Sequence, residues 1–238
     1  MIEVKNLEKI YRNDAVETPA LRGVSFNIEP GEFVAITGPS GSGKSTLMHI
    51  MCFLDRPSSG IYKFEGKGID DLTDDELARI RNKRMGFIFQ AYNLLPRTTV
   101  FNNVRLPLIY SDLRKEIEEK MVTEAIKKVG LSHRINFFPN QLSGGEQQRA
   151  AIARALVNNP SVIFADEPTG NLDSKSGKVI MTLFQELNDK GHTIVLVTHE
   201  RYTAEHAKRI IQLHDGKIIS DEDVRQRRYA KDEKELIK

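Results

Sequence analysis

The chain has 238 residues, 39% of them hydrophobic, and its 35 basic and 33 acidic side chains leave a formal net charge of +2. This length suits one full-sized α/β domain with an inserted subdomain rather than two independent catalytic domains, and so small a charge does not by itself indicate a nucleic-acid surface. The single cysteine, Cys52, excludes an internal disulfide and a zinc site built from several cysteines.

The first part of the chain predicts antiparallel strands. Residues Ile2–Tyr11, Val24–Ile28 and Gly60–Phe64 alternate apolar with polar side chains, and turn-prone stretches such as Glu29–Gly31 join them. We expect these segments to form an antiparallel flank of the main sheet.

Buried strands and helices then alternate along the chain. Short runs rich in Val, Ile and Phe predict the strands of a largely parallel sheet at Phe33–Thr37, Gly86–Phe89, Ser161–Ala165 and Thr193–Thr198. Helical patterns lie between them at Lys44–Leu54, Asp74–Asn82, Leu113–Val129, Gly145–Val157 and Ser174–Asp189. This alternation predicts an α/β layered fold.

No convincing long strand lies between Gln90 and Pro160, so we expect a helical insertion in this stretch. Its connection Ala91–Tyr110 is unusually apolar for a loop. The apolar side chains are Tyr92, Leu94, Leu95, Phe101, Leu106, Leu108 and Ile109. They either pack the insertion on the core or form a docking groove for another protein, and the sequence leaves both readings open.

The tail from Asp221 to Lys238 carries many charges of both signs, with Val224, Tyr229, Leu236 and Ile237 among them. This composition favours a solvated terminal helix over a specific binding element.

A glycine-rich loop links the strand Phe33–Thr37 to the helix that follows. Its residues are Gly38, Pro39, Ser40, Gly41, Ser42, Gly43, Lys44, Ser45 and Thr46. This is the P-loop pattern in the strand and helix context that it requires. The glycines let backbone N–H groups surround phosphate oxygens, Lys44 reaches the β- and γ-phosphates, and the Ser45 hydroxyl binds Mg²⁺. ATP and Mg²⁺ are the cofactors that we expect.

An acidic pair, Asp166 and Glu167, follows the strand Ser161–Ala165, at the edge where open α/β sheets bind their ligands. In a protein with a P-loop, Asp166 would hold Mg²⁺ and Glu167 would orient and deprotonate the attacking water.

A second glycine-rich loop leads into the helix Gly145–Val157. Its residues are Leu142, Ser143, Gly144, Gly145, Glu146 and Gln147. Such a loop presents unpaired N–H groups and the positive end of a helix dipole, which together favour an anion. One nucleotide needs only one such loop, so the second indicates a dimer in which each chain contacts the nucleotide of the other.

Together, Gly38–Ser45, Leu142–Gln147 and Ala165–Thr169 resemble the nucleotide-binding subunit of ABC transporters, over nearly the whole chain. The resemblance implies a P-loop NTPase core of the RecA-like type with an antiparallel β flank and a helical insert. We expect one nucleotide-binding domain at 1–220, with its core at 1–90 and 159–220 and its insert at 91–158, and a charged tail at 221–238.

The resemblance also implies roles for residues that carry little signal alone. Gln90 is similar to the Q-loop glutamine that contacts Mg²⁺, and His199 to the switch histidine that contacts the γ-phosphate. Asp173 lies in Gly170–Asp173, which resembles the D-loop that crosses the dimer interface. Tyr11 lies where the family places an aromatic residue that stacks on adenine.

The implied working unit is a homodimer in which Ser143 and Gly145 close over the γ-phosphate on the partner's P-loop. Within the family, Gly38–Met48, Leu54–Gly60 and Phe89–Pro96, with Asn103–Leu108, are most similar to the macrolide-exporter and lipoprotein-releasing ATPases.

No run of the sequence has the roughly 18 consecutive apolar residues that a membrane span requires. Together with this, the resemblance implies a cytoplasmic ATPase, peripheral on the inner face of the cell membrane, which acts with a separate integral membrane permease and without nucleic acid. Two alternatives stay open. One is a cell-division ATPase that regulates wall hydrolases, and the other is a soluble ABC ATPase that acts on nucleic acid or ribosomes.

Overall fold

The structure is a computed structural model that describes residues 1–13, 16–111 and 113–236. Its strands are β1 (Ile2–Asn13), β2 (Val16–Ile28), β3 (Phe33–Thr37), β4 (Ser59–Phe64), β5 (Lys67–Gly68), β6 (Met85–Ile88), β7 (Val162–Asp166), β8 (Thr193–Thr198), β9 (Arg209–His214) and β10 (Lys217–Asp223). Its α-helices are α1 (Lys44–Met51), α2 (Asp74–Arg84), α3 (Val100–Arg105), α4 (Lys115–Lys128), α5 (Gly144–Leu156), α6 (Ser174–Asp189) and α7 (Arg201–Ala204). Short 3₁₀ turns lie at Ile69–Asp71, Leu106–Leu108, Ser132–Arg134, Pro139–Gln141 and Ala230–Asp232.

The strands form two sheets. A six-stranded sheet has the order β10-β9-β3-β8-β7-β6, in which every neighbouring pair is parallel except β10 with β9. The antiparallel strands form a separate sheet of order β2-β1-β4-β5 rather than a flank of the main one. The α/β fold class predicted from the sequence is confirmed.

Alternate side chains of β3 pack into two different hydrophobic cores. Val34 and Ile36 pack with the antiparallel sheet and α1, whereas Phe33 and Ala35 face the side of α5 and α6. Every side chain of β8 is buried, as expected for a parallel strand that is covered on both faces. Because β3, β7 and β8 are parallel neighbours, their carboxyl ends meet at one edge of the sheet.

The stretch between β6 and β7 is helical in the residues that the structure describes, as predicted. The sequence predicts a loop throughout the connection Ala91–Tyr110, and this is wrong for α3 and for the 3₁₀ turn Leu106–Leu108. Thr99 begins that helix, because its side chain accepts a hydrogen bond from the backbone N–H of Asn102 at 3.3 Å. Leu108 is fully buried, but Leu95 and Ile109 keep 45% and 58% of their surface exposed. The apolar connection therefore packs on the core in part and leaves part of its surface open.

The expectation of a solvated terminal helix is wrong for the tail residues that are described. The chain instead continues from β10 into an irregular segment that lies against α6, and Ala230 and Leu236 are fully buried there. Leu236 donates from its backbone N–H to the oxygen of Ser174 at 3.0 Å. The scattered apolar residues of the tail thus fill gaps on α6, and Ile237 lies outside the described residues.

Among the described residues, no helix has both the length and the apolar composition that crossing a bilayer requires.

Candidate active site

The loop between β3 and α1 folds around the end of the Lys44 side chain. Nζ of Lys44 donates to the backbone oxygens of Gly38 and Pro39, both at 2.8 Å. A Cβ on Gly38 would lie 2.2 Å from the oxygen of Leu213, and Gly38 has a φ of +153°. Glycine is therefore required for the tight approach of this loop to β9.

The first turn of α1 is open to an anion. Gly43 precedes the helix with a φ of 101°, and no side chain caps the N-terminal N–H groups. Unpaired N–H groups at the positive end of a helix dipole favour phosphate. The loop therefore fits the triphosphate that its sequence predicts.

A cleft of about 1560 Å³ opens where β3, β7 and β8 end. The predicted site residues that line it are Gly38, Pro39, Ser40, Gly41, Gly43, Lys44, Ser45, Thr46, Gln90, Asp166, Glu167 and His199. The P-loop residue Ser42 lies beneath the loop, only 1% exposed, and its hydroxyl has no hydrogen-bond partner among the described residues. The structure thus brings together most of the residues that the sequence assigned to the nucleotide.

The carboxylate of Glu167 is fixed by the end of β8. It accepts from the Thr198 hydroxyl at 3.0 Å and from the backbone N–H of His199 at 2.9 Å, and Nδ1 of His199 lies 2.7 Å away. The backbone of Glu167 has a positive φ of 44°, and its N–H donates to the oxygen of Val197 at 2.9 Å. The side chain is therefore held in a fixed orientation where it lines the cleft.

Charges of both signs share this cleft. Burial raises the pKa of the Asp166 carboxyl, and the neighbouring Glu167 raises it further, against the effects of His49 and Lys44. Burial lowers the pKa of the Lys44 ammonium, while Glu167 and Asp166 oppose that change. The carboxylates repel each other, so a divalent cation between them and a phosphate would relieve this repulsion.

The oxygen atoms of the protein alone do not complete a Mg²⁺ site, so a bound ligand would have to supply further oxygen atoms. Ser45, Gln90 and Asp166 offer the oxygen atoms that this ion prefers. Within the described residues, no group of three or more His, Cys, Asp or Glu side chains forms a metal site. The cleft therefore fits a cation that phosphate oxygens also hold, and it is not a protein-only metal cage.

The second glycine-rich loop lies outside the cleft. Ser143 begins α5, where its hydroxyl accepts from the N–H of Glu146 at 3.3 Å and the Glu146 carboxylate accepts from the N–H of Ser143 at 2.9 Å. Gln147 donates to the oxygen of Leu142 at 3.1 Å. None of the loop residues Leu142–Gln147 lines the cleft, and Ser143 is exposed. The two glycine-rich loops of one chain thus do not enclose the same cavity.

Two other predicted residues also lie away from the cleft. Asp173 begins α6 and accepts from the N–H of Ser176 at 2.9 Å. Tyr11 is 40% exposed and donates through its hydroxyl to Asp55 at 3.0 Å, while Ala20 of β2 lines the cleft instead. The stacking role of Tyr11 and the interface role of Asp173 stay predictions.

Sequence reasoning missed two polar residues of the site. Thr198 positions Glu167 through its hydroxyl, and Asn171 is bonded to Gln90. A polar residue that ends an otherwise apolar strand was the available signal for Thr198. Asn171 lies within the predicted D-loop Gly170–Asp173, but no sequence pattern links it to Gln90, which is 81 residues away in the chain.

The comparisons with known proteins agree on one family. A family model described as ABC transporter matches residues 21–170. A macrolide export ATP-binding/permease protein, MacB of Bdellovibrio bacteriovorus, is 53% identical over 222 residues, which are 93% of this chain and 34% of that protein. An uncharacterised ABC transporter ATP-binding protein of Methanocaldococcus jannaschii is 48% identical over 92% of this chain and 98% of its own. The chain spans about a third of the length of the MacB relatives, 34% in this case.

Solved structures give the same result. The dimeric structure of the ATP-binding cassette MJ0796 in a post-hydrolysis state, bound to ADP and Pi, has a TM-score of 0.86 and 46% identity. The match covers 95% of this chain and 100% of the MJ0796 chain. A second dimeric structure of the same cassette has a TM-score of 0.86 and 47% identity.

Proposed function

This chain belongs to the ABC transporter family, and we propose that it is the ATP-binding subunit of a transporter complex that hydrolyses MgATP between two copies of the chain. The observation that carries the proposal is the position of the two glycine-rich loops. One lines the cleft, and the other lies outside it at the start of α5, with the side chain of Ser143 exposed. A second copy related by a two-fold axis would bring the exposed loop to the open cleft.

The chemistry follows from the positions of the side chains. The P-loop and Lys44 would bind the phosphates, and Ser45, Gln90 and Asp166 would hold Mg²⁺, which neutralises the phosphate charge when bound. Glu167, held by Thr198 and His199, would orient a water molecule and take its proton. Removing a proton in this way contributes about 10² to 10⁴ in rate.

The partner's contribution would complete the site. Ser143 and Gly145 of one copy would contact the γ-phosphate held by the other copy, and Asp173 would cross the same interface. The dimeric structures of the similar cassette MJ0796 support this arrangement. The division into a domain at 1–220 with a helical insert at 91–158 is part of the same proposal.

We further propose that a separate integral membrane permease uses this subunit for export, for lipoprotein release or for mechanotransmission. The 53% identity to a macrolide export ATP-binding/permease protein supports this class of function. The permease would dock on the exposed side chains of the apolar connection, Leu95, Ile109 and Tyr110, which are 45%, 58% and 87% exposed. The protein would then lie in the cytoplasm on the inner face of the membrane.

The nucleotide-dependent dimer is tested with Glu167→Gln, which binds nucleotide but hydrolyses it slowly. Gel filtration with MgATP should show a dimer, and without nucleotide a monomer. Adding Ser143→Asp keeps a residue that caps helices well but places a negative charge where the partner's γ-phosphate would lie. The double variant should bind ATP as a monomer and fail to dimerise. Loss of ATP binding by the monomer would instead mean that both loops serve one chain, and the proposal would be wrong.

A further inference from the structure

Asn171 and Gln90 exchange two hydrogen bonds at the edge of the cleft. Nδ2 of Asn171 donates to the backbone oxygen of Gln90 at 3.0 Å, and Nε2 of Gln90 donates to Oδ1 of Asn171 at 3.3 Å. Gln90 lines the cleft and Asn171 does not. The pair therefore joins a predicted ligand of the cation to the segment between β7 and α6.

The backbone fixes the orientation of both amides. A carbonyl oxygen only accepts hydrogen bonds, so the nitrogen of the Asn171 side chain must face the backbone oxygen of Gln90. The oxygen of the Asn171 side chain then faces the Gln90 amide, and only the nitrogen of that amide can donate to it. The oxygen Oε1 of Gln90 is therefore the atom that Asn171 leaves available. Oxygen is the ligand atom that Mg²⁺ requires.

Neighbouring residues hold this arrangement in place. A Cβ on Gly170 would lie 2.6 Å from Nε2 of Gln90, so glycine makes room for the amide. The Tyr92 hydroxyl donates to the backbone oxygen of Asn171 at 3.4 Å. Arg154 of α5 donates to the backbone oxygen of Tyr92 at 2.8 Å. The position of Asn171 is thus fixed by its contacts with Gln90 and Tyr92 and, through Arg154, by the helix α5.

We propose that Asn171 is a positioning residue that turns the amide oxygen of Gln90 toward the divalent cation of the bound nucleotide. The inference rests on the proposed function, because it presupposes MgATP in the cleft. Asn171 does not touch the cation. It decides which end of the Gln90 amide is presented, and an amide nitrogen presented in place of the oxygen cannot act as a ligand.

The test variant is Asn171→Leu, which removes both hydrogen bonds at a similar side-chain volume. Asn158→Leu is the matched control, because Asn158 also donates from its side chain to a backbone oxygen, that of Asn82 at 2.8 Å, and lines no part of the cleft. Gln90→Ala provides the effect of losing the predicted ligand altogether.

The first measurement needs no nucleotide. In protein labelled with ¹⁵N-glutamine, the side-chain amide signal of Gln90 is identified by its loss in Gln90→Ala. In Asn171→Leu this signal should shift and its protons should exchange with water faster, whereas Asn158→Leu should leave it unchanged. An unchanged Gln90 signal in Asn171→Leu would overturn the inference.

The second measurement is the Mg²⁺ dependence of ATP hydrolysis. Loss of a neutral hydrogen bond should raise the half-saturating Mg²⁺ concentration of Asn171→Leu about threefold to tenfold, while KM for ATP at saturating Mg²⁺ stays within about twofold. If Gln90→Ala raises the Mg²⁺ requirement and Asn171→Leu does not, the inference fails and the proposed function stands. If the wild-type protein does not hydrolyse MgATP, the proposed function itself is wrong.

Discussion

Replacing Glu167 with Gln should slow hydrolysis strongly with little loss of stability. The carboxylate accepts through Oε1 from the backbone N–H of His199 at 2.9 Å, with Nδ1 of His199 at 2.7 Å, and through Oε2 from Thr198 at 3.0 Å. The amide oxygen of Gln can take the place of Oε1 and keep both contacts to His199. The amide nitrogen then takes the place of Oε2 and can donate to the Thr198 hydroxyl, which both donates and accepts.

No buried polar group is left without a partner in this variant, so we expect the free energy of unfolding to change by less than about 1 kcal/mol. The amide cannot accept the proton of the attacking water. Loss of the predicted general base should therefore reduce the rate about 10² to 10⁴-fold, which corresponds to about 3 to 5 kcal/mol of activation free energy. The variant also loses a negative charge that raises the pKa of Asp166, and this loss favours the ionised form of that predicted cation ligand.

Single-turnover hydrolysis of radiolabelled ATP measures the rate, and urea denaturation without nucleotide measures the stability. A rate within about tenfold of wild type would show that Glu167 is not the general base. A large loss of stability together with a slow rate would show that the hydrogen bonds described above are not preserved.

Three further outcomes follow from single positions. Lys44→Ala removes the ammonium that lies within the P-loop and should weaken ATP binding by more than about tenfold in a fluorescent-nucleotide titration; wild-type affinity would mean that the phosphate loop is misassigned. Leu236→Ala removes a fully buried side chain and should lower the free energy of unfolding by about 2 to 5 kcal/mol in urea; no measurable change would contradict the packing of the tail on α6. The folded protein holds the proton of Asp166 more tightly than the unfolded chain does, so without nucleotide its stability falls as pH rises from the ordinary pKa of 3.8 through the raised one. Asp166→Asn removes this loss and should therefore be more stable than wild type at about pH 7 but not at about pH 3; equal stability of the two proteins at both pH values would refute this interpretation.

The predictable part of the fold is the part in which local pattern and burial agree. The strand β8 and the helix α6 have the bounds that the sequence predicts, Thr193–Thr198 and Ser174–Asp189. The strand is a short apolar run rich in β-branched residues and buried on both faces, and the helix shows the periodicity of an amphipathic helix. The P-loop was predictable for a different reason, because its glycine spacing is tied to one chemical task.

The tail was not predictable, because its structure depends on a surface that lies far away in the sequence. Leu236 fits against Gly177, where a Cβ would approach it to 2.9 Å, and Gln185 accepts from the backbone N–H of Ala230 at 2.9 Å. Nothing in the charged tail indicates that α6 offers these partners. The sequence does not predict the strands β9 and β10 for a related reason: β10 is mostly polar and charged, and its pairing with β9 holds it in the sheet.

Sequence patterns also do not predict the unusual backbone conformations at the site. Glu167 and Tyr92 have positive φ values of 44° and 60°, although neither is a glycine. Each such conformation costs about 1 to 3 kcal/mol unless other contacts hold it. A hydrogen bond to Val197 holds the backbone of Glu167, and Arg154 holds that of Tyr92. Glu167 is itself the predicted base, and the Tyr92 hydroxyl donates to the backbone oxygen of Asn171, the partner of Gln90. A change that relaxes either strained residue should therefore move the predicted base or the predicted cation ligand. The strain is therefore placed where the proposed reaction needs fixed geometry.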